Sequence, residues 1–138
     1  MVVSFGVVGG GWWSEVYLRI GREMPDRFRV ASMVVRRAEA GLEIEDRWGV
    51  PTFRTVEALV AAAPREEIEF LVVSIDVADN PAMLKKVTAL GIPTLSQTPP
   101  GMDIASLEEL YVLSTGDGVK MQVAEQYIFQ PIHQARLA

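Results

Sequence analysis

The chain has 138 residues, 49% of them hydrophobic and 22% charged, with a formal net charge of −5. That length supports one domain with a real core and is short for two. The acidic balance argues against binding nucleic acid, where a basic surface supplies most of the affinity, and with no Cys and a single His, disulfides, thiolate chemistry and multi-histidine metal sites are excluded.

The elements alternate along the chain. Val2–Val8 is β-branched and nearly continuous, as a strand covered on both faces would be. It is far short of a membrane span, and no positively charged segment precedes it. The expectation is a cytoplasmic protein with neither membrane nor nucleic-acid partners. Trp13–Met24 predicts a helix with Val16, Tyr17, Ile20 and Met24 on one face, ended by Pro25. Arg29–Val35 predicts a second strand. Ala38–Trp48 predicts a helix that Gly41 weakens by about 1 kcal/mol and Gly49 caps. Thr52–Phe53 predicts a short strand, and Thr55 caps a helix through Ala63 that Pro64 closes. Glu69–Ile75 predicts a central strand. Asn80–Pro81 reads as an N-cap and first helical residue of a helix to Leu90, stopped by Gly91. Pro93–Ser96 is a short strand, Asp103 caps a helix through Ser114, and Lys120–Ala124 is a last strand. Pro131 opens a further helical segment. Strands separated by helices of this length imply an α/β fold: a doubly wound, mostly parallel sheet of the Rossmann dinucleotide-binding type.

Gly9-Gly10-Gly11-Trp12-Trp13-Ser14 gives G-x-G-x-x-S between the first strand and its helix. In the dinucleotide fingerprint the first Gly (Gly9) permits a tight turn and the second (Gly11) admits a pyrophosphate. A small third residue lets the helix pack on the strand. Trp12 and Trp13 contribute backbone N–H groups at the helix N-terminus, while their rings point elsewhere. The competing interpretation is a plain glycine turn with a core Trp pair. The carboxylate expected after the second strand, for the adenosine ribose, is missing. Arg36 and Arg37 stand there instead. They either favour a 2′-phosphate, as in NADP, or form a solvated basic pair. The cofactor expectation is therefore NADP or NAD, leaning slightly to NADP.

The stretches VVGGGWWSEVY, Asp46–Val60, Glu69–Ile75, Ala89–Pro100 and Val123–Pro131 follow one another in a familiar order. Through them the chain resembles the N-terminal domain of the glucose–fructose oxidoreductase, inositol dehydrogenase and MocA-like family. The resemblance implies an NAD(P)-dependent oxidoreductase acting on a sugar, cyclitol or related polyol. It also implies a second, mostly β-sheet domain that carries much of the substrate site. Residues 1–125 are then the cofactor domain and residues 126–138 the start of the connection. The family's Glu-Lys-Pro, whose Lys binds substrate and polarises the reacting oxygen, is here Gln97-Thr98-Pro99. Thr98 cannot act as a cation or a proton source at neutral pH, whereas Gln97 can still hydrogen-bond to a ribose or an amide. The resemblance puts Asn80 where the family often has His, though Asn80 reads better as a helix cap. It replaces the small-Thr-Pro turn with Ser74-Ile75-Asp76. Asp76 meets a ribose hydroxyl or a substrate, or is a turn residue. Gln126 lies where Asn or Gln often approaches the nicotinamide carboxamide, or it belongs to a tight turn with Tyr127 packed inward.

His133, the pair Glu43/Glu45 and the run Glu66-Glu67 read as surface. As it stands the chain is expected to bind cofactor at best, with turnover requiring the further domain. The alternative, resting on Gln97-Thr98-Pro99, is a non-catalytic relative used as a sensor or scaffold. A third possibility is a domain that has lost its cofactor, its phosphate site blocked by the Trp rings or Arg36. Ile128, Phe129 and Ile132 form a candidate self-association patch, making a homodimer possible.

Overall fold

The computed structural model describes residues 1–62, 67–116, 118 and 120–137, without the side chains of Ile128, Gln134 and Leu137. The expected helix end at Ala63 and Pro64, Glu66 of the acidic run and the Ile128 side chain therefore lie outside the described residues. Strands β1 (Val3–Val8), β2 (Phe28–Val34), β3 (Thr52–Phe53), β4 (Phe70–Val73), β5 (Thr94–Ser96) and β6 (Met121–Val123) alternate with helices. These are α1 (Trp12–Glu23), α2 (Ala38–Trp48), α3 (Val56–Ala62), α4 (Asn80–Ala89), α5 (Ile104–Gly116) and α6 (Pro131–Leu137), with a 3-10 turn at Gln126–Phe129.

The strands form one sheet in the order β3-β2-β1-β4-β5-β6, and every pair is parallel. This is the Rossmann arrangement. Its order reverses between β1 and β4, whose carboxyl ends flank the crevice where ligands bind in such sheets. Both sheet faces are covered, which explains the continuous apolar runs of β1 and β4. Successive residues point to opposite faces. Val8, Val34, Leu71 and Val73 pack with Leu59, Leu84, Val87 and Leu110 of α3, α4 and α5. Val7, Met33 and Val72 pack with Leu18 of α1 and, at the margin, Ile44 of α2. Each fully buried Leu or Val contributes about 1.5–3 kcal/mol.

Most expected caps form. The Thr55 hydroxyl accepts from Ala58 N at 3.1 Å, and Asp103 Oδ1 accepts from Ser106 N at 2.8 Å. Gly49 ends α2 at φ 67°, in the left-handed region that glycine tolerates. One expectation holds in part and one fails. On α1, Tyr17 packs against the core and Ile20 and the C-cap Met24 are half-buried, but Val16 is 36% exposed and the fully buried residues are Ser14 and Leu18. The close packing at Ser14 sets the rotation of the helix, and the i, i+4 stripe follows from it. Asn80 is not a cap: α4 starts at Asn80, its N-cap is Asp79, and no side chain caps it. Among the described residues no helix is long and apolar enough to cross a membrane.

Candidate functional site

The floor of the crevice is built from glycine. Gly9 has φ 129°, and a Cβ there would lie 2.0 Å from Ser74 O. Gly9 N donates to Val34 O at 2.9 Å and Ser74 N to Val8 O at 2.8 Å, so the ends of β1, β2 and β4 meet at this turn. A Cβ on Gly10 would press Val35 Cγ1 at 2.8 Å. Gly11 differs: its φ is −86°, and no protein atom beyond its chain neighbours lies within 4 Å of a Cβ built there. Neither backbone conformation nor packing demands glycine at Gly11. The open space above it is what a phosphate group approaching the backbone needs. Ser14 is buried, its Oγ 3.5 Å from Ser74 O, at the limit of a hydrogen bond. It takes the small third position of the fingerprint.

Because α1 starts at Trp12, the amides of Trp12 and Trp13 have no helical carbonyl before them, and the helix dipole adds partial positive charge. Both residues line a cleft of about 730 Å³ together with Gly9, Gly11, Ser74 and Gln97. The indoles are exposed, Trp12 by 71% and Trp13 by 49%. They pack edge to face with centroids 4.6 Å apart, so the Trp pair is not in the core.

The cleft lining also carries four basic side chains, those of Arg36, Arg37, Arg54 and Lys86. Arg54 reaches back over the β2–α2 turn and donates to three carbonyls: Val35 O at 2.8 Å, Arg37 O at 2.9 Å and Ala38 O at 3.2 Å. Gly41 makes room for it, since a Cβ there would sit 2.6 Å from Arg54 Nη1. Arg36 Nη2 meets Asp79 Oδ2 at 3.2 Å, both residues lining the cleft. Lys86 Nζ pairs with Glu57 Oε1 at 2.8 Å. The Lys86 hydrogen bond, then the backbone of Glu57 itself, holds the Glu57 carboxyl below its ordinary pKa.

On the β4 side, Ser74 Oγ donates to Gln97 Oε1 at 3.2 Å. Asp76 lines the cleft while its Oδ1 accepts from Ala78 N at 2.9 Å, so it is a turn residue with one carboxylate oxygen to spare. Asn80, 1% exposed, donates to Ser96 Oγ at 3.1 Å and Pro99 O at 3.4 Å, tying α4 to the segment after β5. Of the expected residues, Gly9, Gly11, Trp12, Trp13, Arg36, Ser74, Asp76 and Gln97 come together around the cleft. Thr98 is half-buried outside its lining, and Gln126 is exposed at the start of the 3-10 turn. His133 lies on α6, its ring centroid 5.4 Å from that of Tyr127. No group of acidic, His or Cys side chains suited to a metal ion exists among the described residues. Sequence reasoning missed Arg54, Asp79 and Lys86. The one available signal was Gly41, an unexplained glycine in a helix.

Residues 3–125 match the model of a family described as "Oxidoreductase family, NAD-binding Rossmann fold". No curated protein matches the chain by sequence. Among solved structures, GenD2 from gentamicin A biosynthesis, in complex with NAD, superposes with a TM-score of 0.83 at 21% identity, covering 99% of this chain and 38% of that one. The WlbA dehydrogenase from Bordetella pertussis, in complex with NADH and UDP-GlcNAcA, gives 0.85 at 19% identity, covering 98% and 41%. Biliverdin reductase from Synechocystis, in complex with biliverdin and NADP+, gives 0.78 at 20% identity, covering 96% and 41%. At these identities the likeness concerns the fold. The chain spans about two fifths of the length of each of these proteins.

Proposed function

The chain belongs to the oxidoreductase family with an NAD-binding Rossmann fold, and on that premise we propose that it is the cofactor-binding part of an enzyme that oxidises or reduces a sugar, cyclitol or related polyol. The observation that carries this is the opening over Gly11 beside the first-turn amides of Trp12 and Trp13. Those amides would hold the pyrophosphate. Arg36 would face the adenosine ribose, and a 2′-phosphate there makes NADP the favoured cofactor. Ser74, Asp76 and Gln97 line the other side of the cleft, and Gln126 follows β6 at the same edge of the sheet. The bound nicotinamide would supply hydride transfer at its C4, while the chain binds and orients it. Residues 1–125 form the dinucleotide domain and 126–138 the connection toward a substrate domain, without which turnover is not expected. A cytoplasmic location belongs to the same proposal. Exposed Phe129 and Ile132 support self-association. The idea of a non-catalytic relative rests on Gln97-Thr98-Pro99 alone.

The test is calorimetric titration of the wild-type chain and Gly11→Ala with NADP(H) and NAD(H). The wild type is expected to bind, and a methyl group in the phosphate's path to weaken both dinucleotides about tenfold, roughly 1.4 kcal/mol. Circular dichroism should show an unchanged fold. Wild-type chain that binds neither dinucleotide, or Gly11→Ala that binds like wild type, would overturn the proposal.

A further inference from the structure

Asp79 occupies the N-cap of α4, where Asp ordinarily accepts from a first-turn amide. Here no side-chain cap bond is made. The carboxylate turns instead to Arg36, 43 residues earlier in the chain, and the two span the cleft from the β2–α2 turn to the β4–α4 turn. The contact is a single N–O approach of 3.2 Å between side chains that are 79% and 52% exposed. Such a pair is weak and sensitive to salt. A phosphate dianion offers Arg36 more charge and a forked pair of acceptors. The backbone under Arg36 does not yield, because Arg54 clamps the carbonyls of Val35, Arg37 and Ala38.

We propose that Asp79 tempers the choice between the two dinucleotides, by occupying Arg36 as an internal counter-anion in the place a 2′-phosphate would take. This rests on the dinucleotide reading of the cleft. A ligand with a plain 2′-hydroxyl leaves the Arg36–Asp79 pair intact. A ligand with a 2′-phosphate must displace the carboxylate and then sit beside its negative charge. Asp79 therefore moderates the preference for NADP that Arg36 alone would give.

The experiment titrates the intact chain by calorimetry with adenosine 2′,5′-bisphosphate and with 5′-AMP, at low and at moderate salt. Wild type, Asp79→Asn, Arg36→Ala and the double variant are compared, each checked for fold by circular dichroism. Asp79→Asn is expected to bind the bisphosphate about two- to fivefold more tightly, more so at low salt, with 5′-AMP changed less than twofold. Arg36→Ala is expected to lose about tenfold on the bisphosphate and to cancel the gain in the double variant. If Asp79→Asn leaves bisphosphate affinity unchanged or weakens it, Asp79 is not a competitor and the inference fails, though the dinucleotide site stands. If the wild type binds neither nucleotide, the dinucleotide reading fails and takes the inference with it.

Discussion

Replacing Gly9 with Ala tests the floor of the cleft. The new Cβ would lie 2.0 Å from Ser74 O and 2.9 Å from Ser74 C. Both are backbone atoms, so no side-chain rotation relieves the overlap. The backbone conformation adds its own penalty: φ 129° lies where glycine alone is comfortable, at about 1–3 kcal/mol for another residue. Separating the strand ends also strains two hydrogen bonds, Gly9 N to Val34 O and Ser74 N to Val8 O, each worth about 1 kcal/mol. Together these put the loss at roughly 3–5 kcal/mol, against about 5–15 kcal/mol for a whole domain. Urea unfolding followed by circular dichroism reads this directly, with an unchanged m-value as the check that only the native state has altered. A loss below about 1 kcal/mol would show that the turn rearranges freely and would refute the rigid floor.

Gly41→Ala discriminates between intrinsic propensity and packing. Helix propensity alone favours Ala by about 0.5–1 kcal/mol. Its Cβ would instead crowd Arg54 Nη1 at 2.6 Å and Thr52 Oγ1 at 2.8 Å, loosening the clamp on the β2–α2 turn. A net destabilisation of about 1 kcal/mol is expected, and a rise in melting temperature would sink the clamp. Glu45→Gln addresses pH. Glu45 Oε1 accepts from Thr52 N at 2.8 Å and Thr52 Oγ1 at 2.7 Å. The Thr52 hydroxyl, then its amide, hold the carboxyl below its ordinary value of 4.5. The resulting stability is present above that value and is lost as pH falls through the lower folded pKa. Wild type should therefore lose more urea resistance than Glu45→Gln between about pH 5 and pH 3. Parallel losses would exclude the linkage.

The strand–helix alternation and the crevice glycines were legible because they rest on local chemistry. Continuous β-branched runs mark strands buried on both faces, and G-x-G-x-x-S marks one turn. What was not legible depends on distant partners. Val16 carried as good an apolar stripe as Leu18, and only the fit of Ser14 against Ser74 chose between them. Asn80 looks like a cap in any local window. Its burial follows from β5 lying beside β4, which places Ser96 within reach of its amide. Arg54 and Asp79 belong to turns far from Arg36 in sequence. Arg54 reaches the backbone on either side of Arg36 through the pairing of β2 with β3, and Asp79 reaches Arg36 itself through the sheet order around β1.

The central place of β1 also bears on how the chain is made. Of the strands in this sheet β1 is made first, and it needs two neighbours. Arg29 of β2 reaches Ser4 from 25 residues away, whereas Glu69, just before β4, reaches it from 65. At about 5–20 residues per second, one edge of an apolar strand waits roughly 2–8 s longer than the other for its partner. During that interval the half-covered edge is open to other chains. The parallel order that assembles the cleft thus leaves the central strand half-paired until β4 has emerged, and non-local pairing of this kind is intrinsically slow.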